Sequence, residues 1–225
     1  MVQFNEVDFT PSLLDLPRLL GSHLSAEDPK VLVALVLANA DTSFVKQHIL
    51  PLVPYWHFRS GKSVLFFFLG YVPKAIEHKD DSSPLFHSVF RPELFVQSIE
   101  SLESDTSIRY TGRTMLVLTT AEYVESCPRL NHSWVLDFDL EGLLIEKVVS
   151  DVRIVFEDII RLAKRHPADD AVWLISDGLS ENEKNEAYLN VAQKYLPFLK
   201  NARELIRAHT RIKVRDRQAS ADVVE

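Results

Sequence analysis

Residues 31–38 read VLVALVLA, eight apolar side chains in succession. A strand with one wet face alternates apolar and polar residues, so an unbroken apolar run is expected where both faces of a sheet are covered. Asn39, Asp41, Thr42 and Ser43 follow, all good helix caps, and Phe44, Val45, His48 and Ile49 continue with helical spacing. Pro51 and Pro54 then end or kink that helix. Strand followed by helix is the motif that recurs along the chain.

Ser63–Leu69 (SVLFFFL), framed by Gly61 and Gly70, reads as a second strand, and a helix is predicted from about Pro92 to Ser104. Thr114–Thr119 (TMLVLT) and Val135–Asp139 read as the third and fourth strands. Ile145, Val148, Val149, Val152, Phe156, Ile159, Ile160 and Ala163 trace a helical stripe. Ala171–Ser176 (AVWLIS) reads as a fifth strand, with one or two helices over Glu183 to His209. Repeated strand–helix order predicts an α/β fold: a mainly parallel, roughly five-stranded sheet with helices on both faces, three layers in all. Residues 27–209 are expected to form one domain, with 1–26 an N-terminal arm and 210–225 a flexible C-terminal tail.

Composition bounds the function. A formal charge of −7 and a pI near 5.6 argue against general adhesion to nucleic acid or anionic membranes. No segment reaches the roughly 18 to 20 unbroken apolar residues of a membrane helix. Cys127 is the single cysteine, which with the acid-containing N-terminus leads to the expectation of a cytoplasmic protein. Six glycines are scattered with no two within eight residues, so no dinucleotide-binding fingerprint exists. Ser60-Gly61-Lys62-Ser63 mimics the end of a phosphate loop, but Trp56 stands where its first glycine belongs.

Ligands in open α/β sheets bind at the carboxyl ends of strands. There the sequence offers Asn39 and Asp41, Gly70 and Tyr71, Thr119, Thr120 and Glu122, Asp137 to Glu141, and Asp177 with Gly178. The richest stretch is Trp134–Leu144, WVLDFDLEGLL, whose acids Asp137, Asp139 and Glu141 are spaced two apart. On a strand they share one face, and three ionised carboxylates on a covered face are too costly without partners. The strand is therefore expected to end near Asp137 or Asp139, leaving Glu141 and Gly142 in a loop. Asp41, Asp137, Asp139 and Asp177 are the candidate ligands for magnesium or manganese, with Asp137 and Asp139 the candidate catalytic pair.

Val135–Gly142 resembles the first motif of haloacid dehalogenase-type phosphatases, which implies Asp137 as nucleophile and Asp139 as acid/base beside magnesium. Phe138–Leu143 is similar to the first motif of exonucleases with four acidic metal ligands, which implies Asp139 and Glu141 as ligands. Each resemblance covers about eight residues, and the chain is assigned to neither family.

Aromatic segments point elsewhere. Tyr55, Trp56, Phe58 and Arg59 sit in a proline-flanked connection, and Phe86, Phe90 and Phe95 gather around a helix start. Such groups fill protein–protein hot spots. The preferred expectation is a non-catalytic binding or assembly module with a protein partner or self-association. The alternative is a divalent-metal-dependent hydrolase of phosphoester-type substrates.

Overall fold

The structure is a computed structural model and describes residues 16–21, 23–25, 27, 29–61, 63–73, 88–125, 127–166, 171–172, 196–198 and 205–209. In chain order its elements are α1 (Leu16–Leu20), β1 (Lys30–Leu37), α2 (Val53–Ser60), β2 (Val64–Phe68), β3 (Tyr71–Pro73), β4 (Ser88–Phe90), α3 (Pro92–Asp105), β5 (Met115–Val124), β6 (Cys127–Asp139), α4 (Leu140–Ile145), α5 (Val152–Ala163) and β7 (Ile206–His209). Between β1 and α2 the chain makes a π-helical turn over Val45–Ile49 and a 3-10 turn over Leu50–Leu52. Five strands form one sheet in the order β2-β1-β5-β6-β7, and β3 pairs with β4 separately.

The parallel sheet expected from sequence is overturned. Only β1 and β2 run parallel; β5 is antiparallel to β1, β6 to β5 and β7 to β6. An apolar run reports burial on both faces and carries no information about direction. Direction is set by connections. β5 passes into β6 through a tight turn at Glu125 (φ +52°), and so short a link joins antiparallel strands only. Polar residues and Pro128 disguise this hairpin in the sequence, so β5 and β6 are longer than the apolar runs inside them. Repeated strand–helix units do not build the layers either.

Two further elements are corrected. Ala171 and Val172, read as the start of the fifth strand, have helical backbone, while 173–176 lie outside the described residues. The fifth strand is instead Ile206–His209, in a region read as helix. Four residues with two basic side chains give too little alternation to announce a strand. The long helical stripe is likewise two helices, divided where Lys147 takes φ +55° and Asp151 caps α5 through Arg153 N at 2.8 Å.

Every β1 side chain from Val31 onward is buried, and alternation divides them between two cores. Leu32, Ala34 and Val36 pack with Val64, Phe66, Phe68, Leu116, Leu118, Leu136 and Phe138 beneath α2, α4 and α5. Val33, Leu35 and Leu37 pack with Leu65, Phe67, Val117 and Val135 against Leu16 and Leu20 of α1 and Phe95 and Leu102 of α3. On the first face Trp56 stacks on Phe156, with ring centroids 3.7 Å apart and planes 5° from parallel. Among the described residues no helix is long and apolar enough to cross a membrane.

Gly70 fixes the approach of α3 to the sheet. Its φ is +82°, its carbonyl accepts from Arg91 N at 2.7 Å, and an added Cβ would lie 2.7 Å from Phe95 Cβ. Gly70→Ala is expected to destabilise the protein by roughly 2 to 5 kcal/mol in urea unfolding, combining left-handed strain with overpacking. Gly61→Ala, also at positive φ but in open space, isolates the conformational part and should cost only about 1 to 2 kcal/mol.

Candidate functional site

The carboxyl ends of β1, β2 and β6 lie at one end of the sheet, because β5 runs opposite to both β1 and β6. Leu37 pairs with Met115 and Met115 with Asp139, so the three residues share one row across the sheet. Asn39, Asp41, Gly70, Tyr71 and Asp139 therefore belong to this end. Thr119, Thr120 and Glu122, which a parallel sheet would add, run away from it; Glu122 pairs with Lys30 at the opposite end.

The WVLDFDLEGLL acids hold structural posts there. Asp137 is buried on the α1/α3 face opposite Val117, and Asp139 occupies the last position of β6. Asp139 is also the N-cap of α4: its Oδ1 accepts from Gly142 N at 2.8 Å and its Oδ2 from Arg113 Nη1 at 2.9 Å. Glu141, expected in a loop, sits in the first turn of α4, where Oε1 accepts from both N and Oγ1 of Thr114 at 2.8 Å. Leu140 N donates to Thr114 O at 3.1 Å. Together these contacts tie the start of β5 to the end of β6. Gly142 is required by the closeness, since an added Cβ would meet Asp139 Oδ2 at 2.7 Å and Leu205 Cδ2 at 2.8 Å.

As a metal centre the arrangement demands exchanges. Both Asp139 oxygens and Glu141 Oε1 already accept strong hydrogen bonds, which a cation would have to displace. Asp41 stands in a turn of its own, its N–H donating to Asn39 Oδ1 at 3.0 Å. Asp177 lies outside the described residues. Among the described residues no three His, Cys, Asp or Glu side chains gather as a metal would require.

The same end of the sheet carries a groove of about 320 Å³ between the β1 exit and α3. Its walls are Asn39 and Asp41 on one side and Pro92, Val96, Ile99 and Glu100 of α3 on the other, with Phe90, Phe95 and Tyr110 between. Four successive ring contacts run through the site: Phe68 with Tyr71 at 6.2 Å, Tyr71 with Phe90 at 5.1 Å, Phe90 with Phe95 at 5.4 Å and Phe95 with Tyr110 at 5.6 Å. Both tyrosines are pinned. Tyr71 Oη donates to Ala38 O at 3.0 Å, and Tyr110 N donates to Glu103 Oε1 at 2.7 Å. Burial, helped by the nearby charge of Asp41, raises the Tyr71 phenol; burial, helped by Glu141, raises that of Tyr110. Both stay neutral near pH 7. Val96 is 52% exposed, so apolar surface continues out of the groove.

Asn39 and Asp41 were legible in the sequence as strand-end residues and Phe90 and Phe95 as an aromatic cluster; their convergence with Pro92, Val96, Glu100 and Tyr110 in one groove was not. A signal for it existed. Pro92, Val96, Ile99 and Glu100 recur at helical spacing beside the core stripe of Phe95, Ile99 and Leu102, so α3 carries a second, partly apolar face next to it.

The residues expected to meet a partner on α2 separate. Trp56 is fully buried, Tyr55 is exposed, and the side chain of Phe58 lies outside the description. Arg59 pairs with Glu157 of α5 at 3.1 Å. Burial would push the Glu157 carboxyl up, but hydrogen bonds from Arg59 and Tyr55 and the charges of Arg59 and Arg161 hold it below its usual value. Next to it Asp158 is buried and is pushed up to about 6 by desolvation, against the pull of Arg161 at 3.1 Å and with the push of Glu157.

Comparison with protein-family models, curated proteins and solved structures gave no match.

Asp139→Ala is expected to lower stability by about 1 to 2 kcal/mol in urea unfolding, as loss of an N-cap does, with Asp139→Asn losing less. A carboxylate kept only as a metal ligand would cost nothing when removed from the metal-free protein. Asp158 gives a pH signature. Its folded pKa lies above its unfolded value, so stability falls as pH rises from about 4 to about 6 and the loss is complete above that window. The stability of Asp158→Asn relative to wild type should rise by on the order of 2 to 3 kcal/mol between pH 4 and pH 7.5, measured by denaturant titration at each pH.

Proposed function

We propose that this chain is a non-catalytic binding module and that it binds a protein segment in the groove between the β1 exit and α3. One observation carries the reading: an apolar groove floored by mutually packed, immobilised rings opens directly onto exposed Val96. Rings held in this way accept a ligand side chain with little further loss of conformational freedom. A volume of about 320 Å³ suits one or two apolar side chains of a partner. Val89 on β4 is also exposed and adds apolar surface outside the lining.

The metal-dependent hydrolase built on Asp41, Asp137, Asp139 and Asp177 remains the competing proposal. It needs Asp139 to release either the α4 cap or Arg113. The two readings separate on melting. Under the binding-module reading, millimolar magnesium or manganese leaves the wild-type Tm unchanged. An ion at about 100 times its dissociation constant on a real site would add roughly 2.7 kcal/mol.

The groove itself is tested with a short dye-labelled peptide of alternating leucine and serine. Fluorescence anisotropy should report binding to wild type and its loss in Val96→Asp, which should retain the wild-type Tm because Val96 is half-exposed. Equal binding by both proteins would overturn the placement.

A further inference from the structure

We infer that the segment bound in this groove is basic, an apolar residue flanked by lysine or arginine. The inference rests on the groove being the binding surface and adds the charge of what it binds. Among the described residues, the charged side chains in the lining are the carboxylates of Asp41 and Glu100, and none of those lining it is lysine, arginine or histidine. Asp41 stands at the β1 side and Glu100 on the α3 side, so a segment lying in the groove has a carboxylate on either hand.

Three further features favour a cation. The charge of Glu141, outside the lining, reaches the Tyr110 phenol and adds to the negative field of Asp41 and Glu100. Three of the cations described at this end are engaged, while Arg91 is exposed at the N-cap of α3. Arg113 is paired with Asp139, Lys46 Nζ donates to the Asp41 carbonyl at 3.4 Å, and Arg109 donates to carbonyls of Glu103 and Ile108. Finally, the faces of Phe90, Phe95 and Tyr110 attract an ammonium or guanidinium as well as an apolar group. An acidic segment would meet repulsion from two carboxylates, with no cation among the described lining residues to offset it. The chain's net charge of −7 steers the same class of partner toward it.

Three dye-labelled peptides of equal length test the inference, leucine alternating with lysine, with serine or with glutamate. Wild type should bind the lysine peptide best and the glutamate peptide least. Glu100→Lys should weaken the lysine peptide about tenfold and strengthen the glutamate peptide, as expected for reversing a charge beside a bound one. Glu125→Lys, the same charge change at the hairpin tip on the far end of the sheet, should leave both affinities within about twofold at physiological salt. Equal binding of all three peptides, lost together in Val96→Asp, would overturn the basic partner while leaving the groove as the binding surface. Failure of every peptide to bind would overturn both. A wild-type dimer in sedimentation velocity that Glu100→Lys dissolves would assign the groove to a second copy of this chain and overturn a separate basic partner.

Discussion

Burial of β1 on both faces is the constraint on which the remaining structure depends. From Val31 to Leu37 no side chain reaches water, so helices must cover the sheet above and below it. Each fully buried aliphatic side chain contributes about 1.5 to 3 kcal/mol, which makes this one strand worth more than any polar contact described here. Its neighbours follow the same rule, and Val64–Phe68 is buried throughout. Polar groups are thereby pushed to the strand ends, and chemistry with solvent or a partner is confined to the rim.

At that rim, carboxylates serve two different ends. Asp139 and Glu141 are consumed internally, one capping α4 and holding Arg113, the other gripping both donors of Thr114. They join the entrance of β5 to the exit of β6 and so hold this end of the two strands in register. Asp41 and Glu100 face the groove instead. The distinction is one of geometry: a carboxylate whose oxygens are saturated by backbone and guanidinium donors has little capacity left for a ligand.

The groove arises where three elements meet. Gly70 lets α3 come within van der Waals distance of the sheet, and the rings from Phe68 to Tyr110 fill the seam. Because Phe95 belongs to the second core and also lines the groove, the binding surface is continuous with the folding core. Its shape is consequently as rigid as the packing behind it.

The sequence by itself determined which segments are buried and on how many faces. β1, β2 and α3 lie close to where apolar runs and helical spacing put them, and the Asp137–Asp139 alternation was a true strand pattern. Those features are local, written in side-chain identity at periods of two and 3.6 residues. Tertiary structure alone decided strand direction, the hairpin hidden in polar residues 121–134, the substitution of Ile206–His209 for the expected fifth strand, and the duties of Asp139 and Glu141. Apart from the hairpin, each of these depends on a partner distant in sequence. Asp139 meets Arg113 and Glu141 meets Thr114, both more than 25 residues away, and Ile206 pairs with Phe138. An aspartate at a strand end has the same sequence signature whether its partner is a metal, a helix amide or an arginine. Only the folded chain brings one of them within hydrogen-bonding distance.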